Sequence, residues 1–203
     1  EELFVSVAEA QAADIGAAVA AARWAFDHGP WPRMTHVERA GYMRAIASEL
    51  AQRADEQAST WVIESGVTQT HASPRSKLVA GVWEYYAGLA DTFPFQEEHK
   101  PAVANTGILV REPVGVVAAI IPWNGPLLML AYKCAPALLA GCTIIVKGSP
   151  EAPGAAYLLA EVCEKVGLPP GVVNVVIADR DVSELLVRNP DVDKVTFTGS
   201  TAA

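Results

Sequence analysis

Across residues 1–91 the apolar positions recur every third or fourth residue. Ile15, Val19, Ala22 and Phe26 form one stripe through an Ala-rich segment, the period of a helix with one buried side. Gly29-Pro30-Trp31-Pro32 interrupts it. Thr35-His36-Val37-Glu38 then has the form of a capping box, in which the Thr hydroxyl accepts from the Glu38 N–H while the Glu reaches back. The helix that follows carries Ala40, Met43, Ala47 and Leu50 on one side. Another is predicted from Asp55 to Ser65, stopped by Gly66, and a last one is opened by Ser73-Pro74 and ends near Asp91.

The pattern changes after Phe93. Residues 93–114 are punctuated by Pro, Asn and Gly, and Ile108–Arg111 reads as a strand that must pair in a hairpin or with another subunit. From residue 115 aliphatic runs alternate with helical segments. Gly115–Ile121, Cys142–Val146 and Val172–Val176 are the runs, and Lys194–Phe197 reads as a further strand; Pro126–Leu139, Gly154–Val166 and Asp181–Val187 are the helices. Strands apolar on both faces and separated by helices predict a parallel sheet covered on both sides, an α/β, Rossmann-like, doubly wound fold. Three regions are expected: a helical part over 1–92, a strand or linker over 93–114, and a parallel α/β core over 115–203. Ligands of such sheets bind beyond the carboxyl ends of the strands, so four loops carry the interest.

Composition narrows the function classes. With 51% hydrophobic and 19% charged residues the chain has ample material for a core. The formal charge is −8 and the fifteen Lys and Arg are dispersed, which argues against nucleic acid or an anionic membrane as partner. The apolar stretches are too short or too broken to span a bilayer, and no export signal is visible, so a cytoplasmic protein is expected. Cys134, Cys142 and Cys163 lack metal-site spacing and read as small core residues; no metal site is expected. His28, His36, His71 and His99 lie far in sequence from the four loops, and no Ser-His-Asp arrangement is visible.

The first loop is Pro122-Trp123-Asn124-Gly125-Pro126. Its carboxamide suits an oxygen that becomes negative during a reaction, although on residue chemistry alone Asn124 reads first as a helix cap. In the second loop Lys147 precedes Gly148-Ser149-Pro150-Glu151. A Lys there reaches ribose or phosphate, or simply snorkels out of a buried strand. Ala178-Asp179-Arg180-Asp181 reads as a turn and helix start. Thr198-Gly199-Ser200-Thr201 could open a helix whose free N–H groups suit a pyrophosphate, or be an ordinary capped turn. No G-x-G-x-x-G follows the first strand.

Together these stretches resemble the aldehyde dehydrogenase superfamily. The likeness is carried by Glu112–Asn124, by Lys133 with Pro136-Ala137-Leu138, by Leu168–Asn174, and by Val192–Thr201, in that order and spacing. Tyr85-Tyr86-Ala87-Gly88 is similar in kind. The resemblance implies NAD(P)-dependent oxidation of an aldehyde to a carboxylic acid through a cysteine thiohemiacetal and thioester. Asn124 would donate to the oxyanion, and Lys133 matches a lysine assigned to proton relay. Ile121, Pro122 and Trp123 would line the cofactor channel. Lys147 and Ser149 would lie at the adenosine ribose, Gly199 and Ser200 at the pyrophosphate of NAD or NADP. Gly125, Met129 and Tyr132 fall where the family lines its substrate tunnel, and Ile108–Arg111 would belong to an oligomerisation hairpin of a homo-oligomer.

The chain also departs from the family pattern. Glu151 stands one place late, which leaves NAD against NADP open. Ala178-Asp179-Arg180 replaces a glycine-bearing turn, and Gly125 replaces a bulky aromatic, implying a wider tunnel mouth. The nucleophilic Cys and general-base Glu of the family would lie past Ala203, so these 203 residues alone are expected to be inactive and to leave a sheet edge exposed. Two other readings stand beside this one: an acyl phosphate or acyl-CoA reductase with the same thiol chemistry, and a non-catalytic nucleotide-binding or self-associating module.

Overall fold

The computed structural model describes residues 3–103 and 105–201. Four helices come first: α1 (Ala12–Asp27), α2 (His36–Gln52), α3 (Ala54–Ser65) and α4 (Gln69–Thr92). A two-stranded antiparallel hairpin follows, β1 (Gln96–His99) with β2 (Gly107–Val110). Then come β3 (Val116–Ile120), α5 (Pro126–Ala140), β4 (Thr143–Gly148), α6 (Gly154–Lys165), β5 (Val173–Ile177), α7 (Arg180–Arg188) and β6 (Lys194–Phe197). The last four strands make one parallel sheet in the order β5-β4-β3-β6.

Both faces of that sheet are covered, as the aliphatic runs imply. Successive side chains of a strand point to opposite sides. Val117, Ala119, Ile144 and Val146 pack into the larger core with α2–α6, while Val116, Ala118, Ile145 and Val176 meet Ile15, Val19, Ala22 and Leu186 of α1 and α7. The capping box at α2 forms as expected: Glu38 N–H donates to Thr35 Oγ1 at 3.2 Å and Thr35 N–H to Glu38 Oε2 at 2.7 Å.

Three local features differ from expectation. The fourth helix starts at Gln69, a turn before Ser73-Pro74, because Thr68 caps it by accepting from His71 N–H. Pro74 therefore lies inside the helix and forgoes one bond. The strand expected over Ile108–Arg111 spans Gly107–Val110 and pairs in a hairpin, one of the two expected arrangements; what differs is its partner, Gln96-Glu97-Glu98-His99, a polar run without apolar alternation. The third helix follows the second with Arg53 alone between them.

Two polar fastenings, the first at the surface and the second buried, join distant segments. Asp193 Oδ2 accepts from Val116 N–H at 2.7 Å and from the Arg23 guanidinium at 2.8 Å, tying the approach to β6 to the start of β3 and to α1. Gly115 makes room for this with φ +124°; a Cβ there would lie 1.9 Å from the carboxylate oxygen. Arg39 is 2% exposed and donates to three carbonyl oxygens: Leu139 at the end of α5 (2.9 Å), Trp31 (3.2 Å) and Met34 (2.5 Å).

Candidate functional site

Because β3, β4, β5 and β6 run parallel, their carboxyl ends share one rim. The loops beyond them enclose a crevice of about 1000 Å³. From the first loop it is lined by Ile121, Pro122, Trp123 and Asn124. The helix-cap reading of Asn124 does not hold: the N-cap of α5 is Gly125, no side chain caps that end, and Pro126 occupies the first turn, where a missing N–H costs nothing.

The second loop contributes Lys147, Ser149 and Glu151. Lys147 does not snorkel out to water. It is 8% exposed, and its Nζ makes a long contact of 3.4 Å with the Ala178 carbonyl oxygen. Burial lowers its pKa from the usual lysine value, against the opposing pull of Glu151 and Asp179. Its ammonium thus keeps donors for a ligand in the crevice. Gly148 before the loop is packed closely, since a Cβ there would come within 2.5 Å of the Ile177 side chain. The Ser149 hydroxyl donates to Glu151, and this bond holds the Glu151 carboxyl below its ordinary pKa.

The third loop adds Ala178, Asp179 and Arg180, and the fourth adds Thr198, Gly199 and Ser200. Asp179 caps α7, its carboxylate accepting from Val182 N–H at 2.9 Å. The helix expected to follow Ser200 lies outside the described residues. Ile120, Val195 and Phe197 give the crevice apolar walls. A carboxamide and a serine hydroxyl from two loops and an ammonium from the end of β4 thus come to one concavity.

The remaining predicted site residues lie elsewhere. Lys133 does not line the crevice; its Nζ donates to Thr196 Oγ1 at 2.9 Å between α5 and β6, and burial lowers its pKa. Gly125 adjoins the crevice loop without lining it, and nothing lies within 4 Å of where its Cβ would stand. Met129 is half-buried and Tyr132 exposed on α5. The three cysteines are buried, and burial pushes the thiols of Cys134 and Cys163 upward, Cys163 to about 12. Among the described residues none of them faces the crevice, and no His/Cys/Asp/Glu group could hold a metal ion.

Support for the first loop comes from α3, which the sequence reading did not connect to it. The Trp61 indole N–H donates to the Asn124 carbonyl oxygen at 3.1 Å, and Ser65 Oγ to that of Trp123 at 2.8 Å. Glu64 accepts from Gly154 N–H at the start of α6 at 2.8 Å. These contacts span 58 to 90 residues of chain, beyond the reach of local periodicity.

The sequence model of the aldehyde dehydrogenase family matches residues 1–203. The chain belongs to the aldehyde dehydrogenase family. Geranial dehydrogenase of Castellaniella defragrans is 40% identical over 100% of the chain and 43% of its own length. Chloroplastic betaine aldehyde dehydrogenase of Amaranthus hypochondriacus is 39% identical over 100% of the chain and 42% of its own length. The crystal structure of Mycobacterium tuberculosis aldehyde dehydrogenase complexed with NAD⁺ superposes with a TM-score of 0.92 and 45% identity, over 97% of the chain and 41% of that protein. The chain thus spans about two fifths of the length of these aldehyde dehydrogenases and corresponds to their N-terminal part. No helix among the described residues is long and apolar enough to cross a membrane.

Proposed function

We propose that this chain is the cofactor-binding part of an NAD-dependent aldehyde dehydrogenase that oxidises an aldehyde to its carboxylic acid. The observation that carries the reading is the convergence of Asn124, Lys147 and Ser200 on one crevice at the carboxyl ends of three adjacent strands. The crevice fits a nicotinamide dinucleotide: it holds a buried ammonium with a single long protein contact, apolar walls, and a Gly-Ser turn at its fourth loop. Lys147 and Ser149 would hold the adenosine ribose, Gly199 and Ser200 the pyrophosphate, and Ile121, Pro122 and Trp123 the channel toward the nicotinamide. When bound, the cofactor accepts the hydride that leaves the substrate.

Asn124 donates its amide N–H to the aldehyde oxygen as that oxygen becomes negative, which lowers the barrier more than it aids substrate binding. The buried thiols of this chain are unsuited to be the nucleophile. That group, and the general base that frees the acid, are assigned to protein beyond these residues. The carboxylates of Glu151, Asp179 and Glu184 outnumber Lys147 and Arg180 along the crevice, a balance unfavourable to a 2′-phosphate and hence favouring NAD. Neighbouring structures described as NAD⁺ complexes support that choice. Open space at Gly125 supports a wide tunnel mouth that admits large aldehydes, Met129 and Tyr132 forming further wall. The exposed hairpin supports homo-oligomerisation. Relatives carry chloroplastic, peroxisomal and mitochondrial names.

The deciding measurement adds NAD⁺ and a series of aldehydes to the full-length protein and follows absorbance of the reduced cofactor. Aldehyde-dependent signal is expected, reduced about 10²- to 10³-fold in kcat by Asn124→Ala, with long or aromatic aldehydes preferred. A protein that ignores NAD⁺ overturns the reading. No aldehyde oxidation, but consumption of NADH or NADPH when acyl phosphates or acyl-CoA thioesters are added, would transfer it to the reductase alternative.

A further inference from the structure

Two hydrogen bonds from α3 fall on successive carbonyl groups of the first crevice loop. Ser65 Oγ donates to the carbonyl oxygen of Trp123 (2.8 Å) and Trp61 Nε1–H to that of Asn124 (3.1 Å). Those oxygens belong to the two rigid peptide planes that flank the Asn124 Cα. Holding both planes fixes φ and ψ of Asn124 and hence the direction in which its side chain leaves the backbone.

The loop does not supply that rigidity itself. Asn124 belongs to no helix or strand, and Gly125 after it has open space around its missing Cβ. The donors, by contrast, are well anchored. Trp61 is 6% exposed, lies in the main core and meets the His71 ring edge-on at 5.4 Å. Ser65 is the last residue of α3, immediately before Gly66 ends the helix at φ +69°. A rigid helix is therefore bolted to a soft loop at two adjacent points.

We propose that Trp61 and Ser65 are positioning residues that preset the Asn124 carboxamide for the transition state. The proposal rests on the reading of Asn124 as the oxyanion donor. A preorganised donor needs no reorientation as charge develops, so loosening it is felt in kcat and leaves cofactor binding alone.

The test is a double-mutant cycle in the full-length enzyme, run well below the melting temperature of every variant. Trp61→Phe keeps an aromatic ring in the core and removes the donor; it should lower kcat about 10-fold, with KM for NAD⁺ unchanged. Ser65→Ala should lower kcat a further few-fold, and Ser65→Thr, which restores a hydroxyl, should recover it. In an Asn124→Ala background Trp61→Phe should change kcat less than about 2-fold, because the group it orients is gone. Equal losses in both backgrounds, or no loss in either, would overturn the clamp. If Asn124→Ala leaves kcat intact, the oxyanion reading falls and the clamp loses its purpose. If Asn124→Ala is crippling while Trp61→Phe and Ser65→Ala are silent, the clamp alone falls.

Discussion

Strand β4 buries all of its residues, whereas β2 leaves Ile108, Leu109 and Val110 about half exposed, although both runs are aliphatic. β4 lies between β3 and β5 with helices on both sides; β2 pairs only with the polar β1. The lesson is that an aliphatic run reports burial somewhere without saying against what. For β4 the partner is within the chain. For β2 the exposed row is the feature that supports a second subunit.

The largest test of this contrast is a truncation in each sheet. Ile145→Ala in β4 should cost about 2–5 kcal/mol in urea melts, because it opens a cavity in a closed core. Leu109→Ala in β2 should cost under about 0.5 kcal/mol in the same melts, yet lower the mass measured by light scattering if the hairpin joins subunits. Equal costs would remove the distinction between the two sheets.

A second test sets stability against ligand binding inside the parallel sheet. Lys147 is buried, and burial disfavours its charge. Its folded-state pKa lies below the unfolded value, so between the two the unfolded chain binds more protons and stability rises with pH. Lys147→Met should raise the melting temperature and flatten that alkaline rise, while weakening NAD⁺ about 10- to 100-fold, or ~1.4–2.8 kcal/mol, by titration calorimetry. A variant that loses stability together with affinity would make Lys147 a structural residue.

The smallest effect concerns the exposed surface. Arg53 makes two 2.7 Å bonds to Glu56 and holds its carboxyl below the ordinary range. The folded pKa is depressed, so this contribution is present at neutral pH and is lost as pH falls through the folded value. Solvent screening limits it to a few tenths of a kcal/mol. Denaturant melts between pH 7 and pH 3 should show Glu56→Gln losing slightly less stability than the wild type.

The parallel core was legible because three of its four strands are short, mainly aliphatic runs bounded by Gly, Pro or Asp, with a helical period between. The rim was legible for the same reason: once strands are parallel, the loops after Ile121, Val146, Val176 and Phe197 must share one end. The capping box at Thr35 and Glu38 was read from four adjacent residues. What escaped was non-local or unpatterned. Gln96-Glu97-Glu98-His99 is a strand only because β2 offers it a partner. Thr68 took the start of α4 from Ser73-Pro74 through one cap. The contacts of Trp61 and Ser65 with the Asn124 loop close across helices, and a tryptophan on a helix reads as core whether or not its N–H has work to do.

Arg39 ties the end of α5 and the bend around Trp31 and Met34 to α2 with a cation that stays protonated even when buried. Its acceptors are carbonyl oxygens, which do not titrate either. This one fastening is therefore indifferent to pH over the range in which Lys147 gains or loses its proton. Changes of pH would retune the mouth of the crevice while this tie holds unchanged.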